Sequence, residues 1–362
     1  MLRRDAVRMI DSKGKYKEHN RDVLTKLKAA YRDSDNPDLH YSVYLPNNLR
    51  FTLSKVNCEI YIECEQVVHN MQLDTAAFDS WALILNAWLN LDVSLAWDPP
   101  PISDPPETDE EKLIWRHYQR FLYRVIRFLD VNEDWFSVKD DCDYLQSSRV
   151  LTPDGELKEE PGYFRIRPPS LREQDSCGID RPEVMNERSL EKWFSCDPGR
   201  GVLLSSLQWP EDEASLTRQV PVGLFDGVPS DDNTVLSGKK AAVDLGAKYS
   251  KEVALFELKA PGNCKVGSLS EILFYSHVIR DLQLKNFGYH KTKIVEKGLD
   301  FSDAESVRSF ILADRLHPLL RNTGLFRVLN EAFSNRNESF GFIQYFEDGN
   351  TIKCEQPADS FQ

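Results

Sequence analysis

What this 362-residue sequence lacks removes several classes of protein at once. No stretch approaches the ~20 consecutive apolar residues that a membrane-crossing helix needs, so no membrane partner is expected. Cys58, Cys64, Cys142, Cys177, Cys196, Cys264 and Cys354 are scattered and odd in number, and none forms a CxxC pair. Neither a zinc cluster nor a disulfide framework is indicated, and free, reduced thiols are expected. Gly223, Gly227 and Gly238 do not fall at the spacing of a phosphate-cradling loop, which weighs against a nucleotide-using scaffold. No Ser-His-Asp or Cys-His arrangement emerges from spacing. The chain opens Met1-Leu2-Arg3-Arg4-Asp5 without the apolar core of a secretory signal, so cytoplasmic residence is the expectation.

Positive charge is also short. The formal net charge is −13, which opposes coating of nucleic acid by bulk electrostatics. The shortfall is uneven: residues 241–330 hold 13 Lys and Arg against 10 Asp and Glu, a balance of +3 that leaves the remainder at −16. A near-neutral lobe beside an acidic one still permits a phosphate-bearing substrate. Hydrophobic content of 41% and charged content of 28% are those of a globular chain, long enough for one large or two ordinary domains.

The pattern predicts an α+β unit over 1–145, a Pro-, Gly- and charge-rich linker or surface excursion over 146–175, and an α/β unit over 176–362. In the first unit, 20–31 has helical spacing, while 41–44, 49–53 and 58–64 alternate as strands. The apolar segment 79–97 predicts one buried helix. Prolines 99–101, 105 and 106 force a loop, and Thr108 with Asp109, Glu110 and Glu111 opens a helix running to about Asp130. On that helix Arg116, Arg120, Arg124 and Arg127 recur three and four apart. A solvated face pairing with nearby acids, with His117 beside it on the surface, is the expectation; a stripe tracking a phosphate backbone is the alternative. In the second unit, helices are expected at 183–194, 268–282, 303–314 and 319–333, and strands at 202–208, 219–225 and 340–346.

Between them lies the segment that carries chemistry. Ala241 to Ala247 and Val253 to Ala260 read as strands around the polar turn Lys248-Tyr249-Ser250-Lys251-Glu252, a hairpin. Positions two apart share a strand face, so Glu257 and Lys259 point one way while Phe256, Leu258 and Ala260 enter a core. Asp244 interrupts the opposite apolar strand. Two carboxylates and an ammonium among buried strands are costly unless a metal or mutual pairing compensates them. Magnesium takes oxygen ligands, commonly one or two carboxylates completed by water and phosphate. Asp244 and Glu257 suit that role, with the Leu258 carbonyl as a third ligand. Lys259 would orient or deprotonate a water, or neutralise charge developing on phosphorus. The plainer reading is an exposed Glu257–Lys259 ion pair of little worth.

Asp244 followed by Glu257-Leu258-Lys259 resembles the signature of the restriction-endonuclease-like, or PD-(D/E)XK, nuclease superfamily. The resemblance spans about 182–284. It implies a mixed sheet flanked by helices and an acidic residue on the first helix, for which Glu191 is the preferred match and Glu187 the alternative. Arg218-Gln219 is similar to the Arg-Gln before the second strand in archaeal mismatch- and flap-cutting endonucleases. The helix after Lys259 resembles the one that carries Gln-x-x-x-Tyr in RecB-like nucleases, with Tyr275 in place but Glu271 where Gln would stand. Arg218, Gln219, Tyr275 and Glu271 are therefore the expected substrate-side residues. A bound Mg2+, replaceable by Mn2+, and a nucleic-acid substrate, DNA before RNA, are what the resemblance implies. A bacterial defence or repair setting follows by analogy alone. A homodimer or a protein partner through residues 1–145 stays open. The rival from another class is a catalytically silent nuclease-like fold that serves as an interaction module.

Overall fold

The computed structural model describes residues 15–34, 41–71, 73–103, 106–139, 164–170, 182–236, 241–263, 265–290 and 299–356. Val23, Leu27 and Tyr31 recur one turn apart and form the buried stripe of α1, Arg21–Arg32. Strands β1, Leu49–Leu53, and β2, Asn57–Ile62, make an antiparallel pair, and a short helix α2, Cys64–Val67, follows. Residues 41–44, expected as a strand, join no ladder.

The segment expected as one helix over 79–97 is two elements. Helix α3, Phe78–Leu89, stops where Asn90 turns left-handed at φ 50°, and β3, Asp92–Trp97, then buries Val93, Leu95 and Trp97 on alternate positions. Helix α4, Asp109–Asn132, starts as read: the Thr108 side chain accepts from the Glu111 N–H and Glu111 reaches back, closing a capping box. Strand β4, Phe136–Val138, completes a sheet in the order β1-β2-β3-β4, whose β2–β3 and β3–β4 pairs are parallel, with α3 and α4 in the crossovers.

The linker expected over 146–175 lies outside the described residues apart from 164–170. There β5, Phe164–Ile166, forms a strand. Helices α5, Glu187–Phe194, and α6, Gly199–Ser206, come next. The strand expected at 202–208 is thus a helix, because Leu203, Leu204 and Leu207 bury at helical spacing and so short an apolar run fits either period. Then come β6, Ser215–Pro221, β7, Leu224–Asp226, β8, Ala242–Tyr249, and β9, Glu252–Leu258. The β8–β9 hairpin closes on two residues, Ser250 and Lys251, with Ser250 at φ 53°. The expected five-residue turn gives way to longer strands.

Helix α7 spans Gly267–Gln283 and leads to β10, Phe287–Tyr289. Residues 306–313, expected within a helix, form β11, Ser306–Ala313. That strand lies between β9 and β12 and is buried on both faces, which erases the period-two signal. Helix α8, Thr323–Phe333, and strands β12, Glu338–Asp348, and β13, Thr351–Glu355, end the described chain. The main sheet has the mixed order β13-β12-β11-β9-β8-β6, and a small sheet runs β10-β5-β7. The fold class is α/β with mixed sheets, and among the described residues no helix is long and apolar enough to cross a membrane.

Two cores flank the main sheet. One packs Leu245, Phe256, Leu258, Phe310 and Leu312 against α5 and α6. The other is continuous from Val23 of α1 through α3 and α4 to Phe333 of α8, with α7 at its centre. All of α7 but Arg280 is buried, the signature of a helix enclosed on every side. Cys58, Cys64 and Cys354 are free, whereas Cys196 is disulfide-bonded, a departure from the expectation that no spacing rule could have revealed.

Candidate active site

Strands β8 and β9 pair from Tyr249–Glu252 as far as Leu245–Phe256 and then separate. At the parting, the carboxylate of Asp244 replaces the lost backbone acceptor: the Leu258 N–H donates to its Oδ2 at 2.9 Å. In an extended residue N–H and C=O lie on the same side, so the Leu258 carbonyl also faces Asp244. On the other flank, the β6–β8 register puts Gln219 opposite Asp244. Gln219 has φ 56°, a left-handed conformation that a non-glycine strand residue rarely takes and that concentrates at functional sites. Its Nε2 donates to Glu191 Oε2 at 3.0 Å, which aims the α5 carboxylate at Asp244. Glu187 turns elsewhere, accepting from Asn263 at 2.9 Å.

Glu257 and Lys259 leave β9 toward α7. The Lys259 ammonium donates to Glu257 Oε1 at 2.5 Å and to Glu271 Oε2 at 2.9 Å. Main-chain bonds fix its position: the Lys259 N–H goes to Leu312 at 2.9 Å, and its carbonyl accepts from the Tyr345 hydroxyl at 2.7 Å. Glu257 is 3% exposed and Lys259 7%, so the expected choice between a surface ion pair and an internal group falls to the internal one. Glu271, expected on the substrate side, is bound to Lys259, and Tyr275, one turn later on α7, is 6% exposed. Arg218, half-buried opposite Leu245, makes no contact with this cluster that the structure describes.

The electrostatics follow from burial. Burial pushes Asp244 up to about 7, with the Leu258 N–H and Lys259 opposing and Glu191 and Glu271 reinforcing. Burial raises Glu257 well above the usual carboxylate range, and the charges of Glu271 and Asp244 add to it. Burial works against the Lys259 ammonium, but Glu257 and Glu271 outweigh it and hold the lysine above its ordinary value. Glu257 Oε2 is buried with no hydrogen-bond partner among the described residues. Three carboxylates thus converge around one ammonium, and one carboxylate oxygen is unused.

The oxygens that a hard dication would meet here are those of Asp244, Glu257 and the Leu258 carbonyl, and magnesium needs only one or two carboxylates beside water and phosphate. Among the described residues no group of three or more His, Cys, Asp or Glu side chains is arranged to enclose a metal by itself. Because Asp244 is raised when folded, it favours the folded state below its unfolded value of 3.8, and that advantage is lost as pH climbs through about 7. Relative to Asp244→Asn, the metal-free wild type should therefore lose stability across that window, and thermal melts from pH 4 to 8 check it. A difference between the two proteins that does not move with pH would contradict the assignment.

The α4 arginines depart most from expectation. Arg120 is 8% and Arg124 3% exposed, and residues 118–125 are buried without a break. A solvated face does not describe them, and the ion pairs of Arg124 and Arg127 break any continuous stripe. Arg124 makes an ion pair with Asp79 at 2.8 Å, Arg127 one with Asp281 at 2.9 Å, and His117 is half-buried.

No protein-family model, curated protein or solved structure matches the chain.

Proposed function

We propose that this protein is a metal-dependent nuclease that hydrolyses phosphodiester bonds of DNA, built on a restriction-endonuclease-like fold. The observation that carries the reading is the convergence of Asp244, Glu257 and Lys259 where β8 and β9 part, with Glu257 Oε2 unpartnered and Gln219 strained opposite Asp244. A buried excess of carboxylates is held together at a cost in solvation, which a bound cation offsets. Asp244, Glu257 and the Leu258 carbonyl would hold Mg2+, with Mn2+ as substitute. Bound there, the cation would polarise the phosphate and lower the pKa of an attacking water. Lys259, kept protonated by its two carboxylates, suits neutralising charge that develops on phosphorus better than removing a proton. Glu191, steered by Gln219, completes the acidic wall. On this reading the setting is the cytoplasm and the partner is DNA.

The test is incubation of supercoiled plasmid and of labelled duplex, single-stranded and flap oligonucleotides with purified protein in Mg2+ or Mn2+, with chelator as control. Divalent-dependent cutting of at least one substrate is expected. No cutting of any of them, nor of RNA, would favour the second reading, a silent nuclease-like fold that binds nucleic acid or protein. One observation supports that alternative. Lys259 already satisfies two carboxylates without any ligand, so Glu271 can serve as an internal counter-charge.

A further inference from the structure

Two buried arginines of α4, Arg120 and Arg124, and the half-buried Arg127 lie beside α7, and among the described residues only Arg124 and Arg127 have an acid. Arg124 is bound by Asp79, which also accepts from Ser270 of α7; Arg127 is bound by Asp281 of α7. Arg120, one turn earlier, forms no ion pair with any described carboxylate. Its Nη2 donates to the His69 carbonyl at 2.9 Å and lies 3.3 Å from His117 Nδ1. Burial pushes His117 down to about 4 and also lowers His69, so neither ring adds a second positive charge beside the guanidinium. An enclosed guanidinium has five donors in a planar fork, and leaving it without an anion is costly.

The helices align so that this vacancy has a location. Arg127 meets Asp281, and Tyr123 packs edge-on to Phe274 at 5.9 Å between centroids. The next turn of α4 toward its start brings Arg120 to the turn of α7 that carries Glu271 and Tyr275, and both act on its charge. Glu271 is engaged with Lys259. The Tyr275 hydroxyl hydrogen-bonds to no described residue, although the side chain is 6% exposed. Among the described residues, a guanidinium without an acid and a hydroxyl without a hydrogen-bond partner therefore adjoin the acidic cluster from the α4 side.

We propose that Arg120 and Tyr275 form an anion subsite whose occupant is a backbone phosphate of the nucleic-acid substrate, next to the group held at Asp244, Glu257 and Lys259. The identity of the occupant rests on the nuclease reading; the preference for a phosphate-like anion rests on the unpaired guanidinium. A dication on the carboxylates would take up their charge and leave the Arg120 fork to bind phosphoryl oxygens in its bidentate geometry.

The experiment compares wild type with Arg120→Gln, Arg120→Lys and Tyr275→Phe. Metal-free thermal melts in inorganic phosphate are set against chloride at equal ionic strength, followed by oligonucleotide cleavage kinetics. Phosphate should raise the wild-type melting temperature, raise that of Arg120→Lys and Tyr275→Phe less, and leave Arg120→Gln unmoved. Loss of a charge-assisted bond should lower kcat/KM of Arg120→Gln by roughly 10- to 100-fold. An equal phosphate response in wild type and Arg120→Gln overturns the subsite, as does an unchanged kcat/KM. A wild type that responds to phosphate yet cuts nothing retires the nuclease reading and keeps the subsite. Should Arg120→Gln fail to fold, full wild-type responses in both Arg120→Lys and Tyr275→Phe overturn it instead.

Discussion

Asp244→Asn and Lys259→Met are each expected to lower the rate of DNA cleavage by ~10²- to 10⁴-fold, the usual range when a positioned charge or proton-transfer group is removed. The two act through different physics. Asp244→Asn keeps the shape and an acceptor for the Leu258 N–H but removes the charge that a cation would need. Its apo stability at neutral pH should hold or rise, because the native site already disfavours the ionised carboxylate. Lys259→Met removes the only ammonium that, among the described residues, is bonded to Glu257 and Glu271. It should lower stability as well as activity, and more steeply as pH rises and Glu257 ionises. Cleavage assays paired with urea melts separate the roles. Wild-type cutting in both variants would take the chemistry away from this cluster. A stable, inactive Asp244→Asn would tie the loss to charge rather than to folding.

Local chemistry was legible in the sequence; burial on two sides was not. The capping box at Thr108 and Glu111 needs only neighbours three residues apart, so its pattern and its structure agree. The hairpin bearing Asp244, Glu257 and Lys259 is likewise local, and alternation gave its faces correctly: Phe256 and Leu258 pack in one core while Lys259 reaches Glu271 on the other side. Residues 202–208 and 306–313 misled because both are short apolar runs, for which helix and buried strand give the same composition. In α4 the arginine spacing looked like a solvent face because their partners, Asp79 and Asp281, are 45 and 154 residues away. The strained φ of Gln219 left no trace, since a glutamine gives no sign of a left-handed backbone. Its adjacency to Asp244 came from sheet register alone.

Arg124→Ala and Asp79→Ala should each destabilise the fold by ~3–5 kcal/mol, because each leaves its partner as an uncompensated buried charge. The pair is nearly free of solvent: both side chains are 3% exposed and are joined by contacts of 2.8, 2.9 and 3.2 Å. Arg124 also donates to the Ala76 carbonyl at 3.1 Å, and the Ser80 and Ser270 hydroxyls lie 2.7 Å apart beside Asp79. Three helices, α3, α4 and α7, therefore meet at one ion pair, and α7 carries Glu271 and Tyr275 of the candidate site. Replacing both partners with apolar residues, Asp79→Leu with Arg124→Met, should recover most of the loss, since isosteric apolar packing matches a buried pair in many cores. Urea denaturation followed by fluorescence and by far-ultraviolet dichroism tests this. One transition that shifts as a unit in the single variants is expected, because the core that contains the pair runs unbroken from α1 to α8. Two separated transitions, with only the earlier one moved, would show that the halves fold independently and that this contact is a docking interface. A loss below ~1 kcal/mol would put the pair in the class of exposed salt bridges, which its burial contradicts.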